Sequence, residues 1–118
     1  MFIAMNRFKV EKQHGRDFED VWLSREVHLH KEPGFVGFHL LRGPERDDHI
    51  LYSSHTLWAS VEAFEAWTKS DSFRKAHAGA GNSKKLYLGH PEFEGFTVLQ
   101  EVQSDGTSRV LRPAEAVA

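Results

Sequence analysis

Three side chains in this 118-residue chain stand out chemically from their neighbours: Asn6, Trp67 and His77. Asn6 lies in a run where Phe2, Ala4, Asn6, Phe8 and Val10 alternate with Ile3, Met5, Arg7 and Lys9. A carboxamide therefore shares one face of a strand with apolar residues. Left without a hydrogen-bond partner there it costs about 1–3 kcal/mol, so backbone, water or a ligand must satisfy it. Trp67 ends a helical stripe begun by Val61 and Phe64, where an indole either fills a core or walls a pocket. His77 follows Phe73 by four residues, just before a Gly-rich stretch. An imidazole at such a helix end either caps the dipole or ligates a metal.

Taken together, the three describe a pocket with a hydrogen-bond donor from a strand, an indole wall and one imidazole. Zinc wants three or four protein ligands, and His77 has no Cys or close carboxylate beside it. Haem iron, already held by four pyrrole nitrogens, needs one axial imidazole. The other histidines are scattered. His28 and His30 are two apart on a predicted helix and point to different faces. His39 and His55 are expected to be neighbours across two strands, on the sheet face away from the helices, where a second cover would sit. His14, His49 and His90 fall in predicted loops or strand ends. No Ser-His-Asp order, phosphate-cradling Gly loop or dinucleotide fingerprint occurs, and no carboxylate pair is placed for glycoside chemistry.

The elements that must position these residues follow from periodicity. Phe2 to Val10 reads as a strand, and Asp17 to about His30 as a helix carrying Phe18, Trp22, Arg25 and Leu29, stopped by Glu32-Pro33-Gly34. Phe35 to Arg42 alternates again, with Val36, Phe38 and Leu40 on one face. A polar hairpin loop from Gly43 to Asp48 leads to a third strand, Ile50 to Trp58. Ser60 caps a helix with Val61, Phe64 and Trp67, and Ser70 or Asp71 caps another with Phe73 and His77. Ala78 to Pro91 reads as a loop. Phe93 to Val102 reads as the fourth strand, with Phe96, Val98 and Val102 on one side, and 103–118 as a frayed tail beyond a domain of residues 1–102. The order β, α, β, β, α, β is ferredoxin-like, an α+β fold with an antiparallel sheet and helices on one face. Two helical regions cover only one side, so the bare face calls for a two-fold partner and a homodimer.

Composition narrows the classes. Lys and Arg number 15 against 17 Asp and Glu, a net charge of -2, which gives no basic excess for nucleic acid. The absence of Cys excludes disulfides, iron-sulfur clusters and thiol catalysis. No apolar run approaches the length of a membrane span, and no secretory leader pattern opens the chain, so a cytoplasmic protein is expected.

The run Asn6-Arg7-Phe8, Phe18 with Trp22, Pro33-Gly34-Phe35-Val36-Gly37-Phe38, Leu40-Leu41-Arg42, Tyr52, Thr56 with Trp58, Ala63-Phe64, Ala66-Trp67 and Ala76-His77 resembles the IsdG-type haem-degrading monooxygenases. These belong to the wider antibiotic-biosynthesis-monooxygenase group of dimeric α+β barrels, and the likeness runs over about residues 2–102. The resemblance implies an enzyme that binds haem as substrate and oxygen-activating cofactor, opens the porphyrin ring with dioxygen, and releases iron and a bilin-type product. Electrons would come from an external reductase or small reductant. By the same resemblance Asn6 hydrogen-bonds in the distal pocket where dioxygen sits, Trp67 presses the porphyrin out of plane, and His77 is the axial ligand. Trp22 stands where the family commonly has Phe, Arg25 lies near a propionate-binding position, and Phe73 joins the pocket beside His77. Two other readings compete: a haem carrier that does not degrade its cargo, and a cofactor-independent oxygenase of an aromatic, as elsewhere in the group.

Overall fold

The computed structural model describes residues 1–25, 28–77 and 86–112, with Ala76 and His77 described by backbone alone. The chain runs β1 (Phe2–Val10), α1 (Gly15–Leu23), β2 (Phe35–Glu45), β3 (Ile50–Trp58), α2 (Val61–Thr68), α3 (Asp71–His77), β4 (Tyr87–Thr97), β5 (Gln100–Val102) and β6 (Ser108–Val110). Single 3-10 turns occupy Lys12–His14 and Leu29–Lys31. Strands β2-β3-β1-β4 form one antiparallel sheet in that order, and β5 pairs with β6 in a small second sheet. The expected ferredoxin-like α+β arrangement is therefore present, with a hairpin added after it.

Directly paired residues of antiparallel strands share a face. On one face β1 presents Phe2, Ala4, Asn6, Phe8 and Val10 beside Trp58, Thr56, Ser54, Tyr52 and Ile50 of β3. This is the face the helices cover. Phe18 and Trp22 of α1 lie against Phe8, and Phe18 against Tyr52, while Phe64 of α2 lies against Phe2 and Trp58. Val10, Phe18, Tyr52 and Trp58 are fully buried there. The other face carries Ile3, Met5, Arg7, Lys9, Leu51, His55, Leu57 and Phe96, and the described contacts of α1 and α2 fall on the opposite face.

Several elements depart from the sequence-based expectation. Helix α1 ends at Leu23, not near His30: the Ser24 hydroxyl donates to the Val21 carbonyl at 3.0 Å, and Leu23 is exposed, so no buried apolar face draws the helix on. Strand β2 continues through Gly43 and Pro44 to Glu45, and only 46–49 turn, closed by the Arg46 amide on the His49 carbonyl at 2.7 Å. Proline is tolerated because β2 is an edge strand and its register slips between Arg42 and Glu45. A second slip, between Phe35 and Gly37, takes Val36 off the face shared by Phe38 and Leu40. Strand β4 starts at Tyr87, inside the expected loop, and bulges where Leu88 to Glu92 face only Lys9 to Arg7. Residues 78–85 of that loop lie outside the described residues.

Phe93, paired with Asn6, is the residue of β4 that faces α2, whereas Phe96 pairs with Ile3 on the open face. Val102 belongs to β5, not β4. The segment expected to fray after residue 102 forms β6 instead. Asp105 and Gly106 make the turn, with the Thr107 amide on Asp105 Oδ1 at 2.8 Å and Gly106 at φ 89°. Residues 113–118 lie outside the described residues.

Candidate functional site

The helix-covered face of the sheet has a floor unlike the rest of the interior. Ala4, Ser54 and Thr56 are small and buried, and Asn6 sits half-buried among them as the direct partner of Ser54 and Phe93. The Asn6 carboxamide has no hydrogen-bond partner among the described side chains and backbone. The backbone partner that a structural role would require is thus missing, and its donor and acceptor remain available on that face.

Two aromatic walls rise from this floor. On one side Phe93 stacks on Phe64 at 5.6 Å with an interplanar angle of 8°, Phe64 meets Trp67 at 6.2 Å, and Trp67 meets Trp58 at 5.4 Å. Phe73 of α3 closes on Trp67 edge-on at 4.8 Å. Both short helices are set by serine caps: the Ala63 amide donates to Ser60 Oγ and the Phe73 amide to Ser70 Oγ, each at 3.1 Å. Gly34, at φ 81°, lets β2 enter under α2; a Cβ there would lie 2.5 Å from that of Ala63. The buried Trp58 indole Nε1 has no acceptor among the described residues.

On the other side stands Trp22 of α1, stacked on Phe38 at 6.4 Å and 7°, with the Arg25 guanidinium 4.6 Å above its ring. A cation over an indole keeps the ring in place and the charge near the rim. Helix α1 is tied to the sheet by the buried Tyr52 hydroxyl, which donates to Glu19 Oε2 at 2.5 Å, while Arg42 pairs with the same oxygen at 3.4 Å. Burial, then the neighbouring Glu19 carboxylate, pushes the Tyr52 hydroxyl up to about 12. It therefore serves as a neutral donor at ordinary pH.

The structure thus brings Asn6, Trp67 and Phe73 together through Phe93 and Phe64, and places Trp22 on the facing helix α1 of the same sheet side, with Arg25 just past its end. His77 is the last residue of α3, one turn beyond Phe73, and its side chain lies outside the described residues. Periodicity alone missed Phe93, Trp58 and the Tyr52-Glu19 tie. The first had a usable signal: Phe93 stands in the same β4 parity as Gly95, facing Asn6 and Ala4, once β4 is paired to β1. A cavity of about 330 Å³ lined in part by Arg7, Lys9, His49 and Glu92 lies on the opposite sheet face and does not include these residues. No helix among the described residues is long and apolar enough to cross a membrane.

Residues 1–79 match the family model described as antibiotic biosynthesis monooxygenase. A "Heme-degrading monooxygenase" of Bacillus thuringiensis (strain Al Hakam) is 31% identical over 88 residues, 75% of this chain and 81% of the relative. The heme-degrader MhuD of Mycobacterium tuberculosis, solved with two hemes bound in its active site, superposes with a TM-score of 0.68 at 30% identity, covering 87% of this chain and 100% of that one. SnoaB, a cofactor-independent oxygenase from Streptomyces nogalater, superposes at 0.57 with 30% identity over 82% of this chain and 91% of its own.

Proposed function

The chain belongs to the antibiotic biosynthesis monooxygenase family, and we propose that it is a haem-degrading member whose substrate lies against the helix-covered face of the sheet. The observation that carries this reading is the half-buried Asn6 carboxamide, without a protein partner, on a floor of small residues between two aromatic walls. A flat apolar macrocycle with carboxylates at its edge suits such a trough. The similarity to heme-degrading relatives supports the same substrate.

When bound, haem supplies the iron that activates dioxygen. The chain's own residues do the rest. His77, closing α3, is assigned as the iron ligand, and Phe73 and Trp67 pack α3 against α2 to fix where that ligand comes from. Asn6 donates a hydrogen bond from the floor and orients the oxygen substrate towards a carbon of the ring. Trp67 presses one side of the macrocycle, and Trp22 walls the other. Arg25, at the rim over Trp22, is assigned to the propionates. The walls exclude water from the reacting face. Electrons come from an external reductase or small reductant, and the products are iron and a bilin-type ring-opened tetrapyrrole.

A second copy of the chain is assigned to the open sheet face, where Leu41, Leu88 and Phe96 are exposed beside Ile3, Leu51 and Leu57. Covering them completes the dimeric barrel. Sedimentation at micromolar concentration should give twice the chain mass.

Haem titration followed by absorption spectroscopy tests the assignment. The wild type is expected to show a saturable Soret shift at one or more haems per chain, and His77→Ala to lose the axial-imidazole signature. The likeness to SnoaB favours one other reading, a cofactor-independent oxygenase of an aromatic. No saturable haem binding, with His77→Ala indistinguishable from wild type, would leave that reading in place of ours.

A further inference from the structure

We propose that His39 and His55 form a two-imidazole chelating site for a divalent transition-metal cation of the nickel, copper and zinc group, on the sheet face opposite the haem site. His39 of β2 and His55 of β3 are direct register partners, so both rings rise from the same face. Their ring centroids are 5.6 Å apart. A cation held by one nitrogen of each ring at about 2.0–2.1 Å, with about 1.1 Å from nitrogen to ring centre, sits roughly 3.2 Å from each centroid. Ligand angles between about 90° and 120° then require centroids roughly 4.5–5.5 Å apart. The observed spacing lies just beyond the open end of that range, and a small change in side-chain torsion closes it.

A second observation is independent of the spacing. His55 Nδ1 is buried with no hydrogen-bond partner among the described residues. His14 and His49, in contrast, pair with Asp17 and Asp48. A buried unpartnered ring nitrogen costs about 1–3 kcal/mol, which a bound cation would offset. On the far side of His55 its β1 partner is Met5, on the same face. The next residue in the row, Glu94, is already paired with Arg7 at 2.9 Å.

Among the described residues no three His, Cys, Asp or Glu side chains come together. The chain therefore supplies two imidazoles, and water or the second copy completes the coordination. Imidazole ligands and the general order of divalent affinities make Cu²⁺ the tightest occupant and the best probe.

Haem-free full-length protein titrated with Cu²⁺, followed by calorimetry and electron paramagnetic resonance, tests the site. The wild type is expected to bind one tight Cu²⁺ per chain, or one shared by two chains, with superhyperfine structure from at least two imidazole nitrogens. His39→Asn, at an edge-strand position exposed in the single chain, should keep the circular dichroism spectrum and thermal midpoint of a folded protein. It should also weaken binding roughly tenfold or more, since even outer-shell changes at metal sites cost 10–100-fold. His55→Asn should do the same, while His77→Asn leaves the tight site intact. Unchanged affinity and nitrogen couplings in folded His39→Asn would overturn the proposal, as would loss of the tight site in His77→Asn alone.

Discussion

Phe93 of β4 and Phe64 of α2 stack at 5.6 Å with their planes 8° apart, and this contact places Trp67 next to the strand pair that carries Asn6. The indole is held from three sides, by Trp58, Phe64 and Phe73. Trp67→Phe keeps an aromatic wall but removes bulk. It is expected to retain haem with at most a few-fold change in affinity, to slow degradation by roughly tenfold or more, and to lower stability by about 1 kcal/mol. Haem titration, turnover and chemical denaturation of one preparation separate the three effects.

Asn6 differs in its effect on stability. Its carboxamide bonds to no described group, so Asn6→Ala removes no internal hydrogen bond. The unfolding free energy from denaturant titration should move by less than about 0.5 kcal/mol. A loss of 1 kcal/mol or more would mean that the carboxamide is structural.

The Tyr52-Glu19 contact has a pH signature. The Tyr52 hydroxyl is raised to about 12 by burial and by the Glu19 carboxylate, whereas an unfolded tyrosine titrates near 10. The unfolded chain thus gives up its proton first. The stability this contact contributes is fully present below about pH 10 and is lost as pH rises from there through 12. Tyr52→Phe should lower stability at pH 7 by about 1–2 kcal/mol. It should also abolish the tyrosinate absorbance step near pH 12, read at constant folded fraction.

Gly34→Ala sets a Cβ 2.5 Å from that of Ala63 at a φ of 81°. The substitution should destabilise by about 1–3 kcal/mol, as overpacking and left-handed backbone both act against it. Because Gly34 seats β2 under α2, a lowered thermal midpoint should be accompanied by weaker haem binding.

The parts of this arrangement legible in the sequence were those set by local pattern. Asn6 was visible because alternation places it among Phe2, Ala4, Phe8 and Val10, and both serine caps stood at the expected positions. The His39 and His55 pairing followed from two adjacent antiparallel strands. Quantities set by pairing between distant segments were not legible. Nothing local distinguishes Phe93 from Phe96, and only the bulge at residues 88–92 against β1 decides which faces α2. Helix α1 stops where Ser24 turns its hydroxyl back on Val21, although Arg25 and Leu29 continue the helical spacing. The hairpin of β5 and β6 carried a readable signal in Asp105-Gly106, masked by its few apolar residues.

The central claim is that this protein consumes haem and does not merely hold it. The most direct measurement is the Soret band of the haem-loaded protein under air with a reductant, with catalase present to remove free hydrogen peroxide and a ferrous-iron chelator in solution. The account predicts steady loss of the band with matching appearance of chelated iron, and an Asn6→Ala variant that binds haem yet turns over about 100-fold more slowly. A Soret band that persists unchanged over the same period, with no iron released, would contradict it and leave a haem carrier.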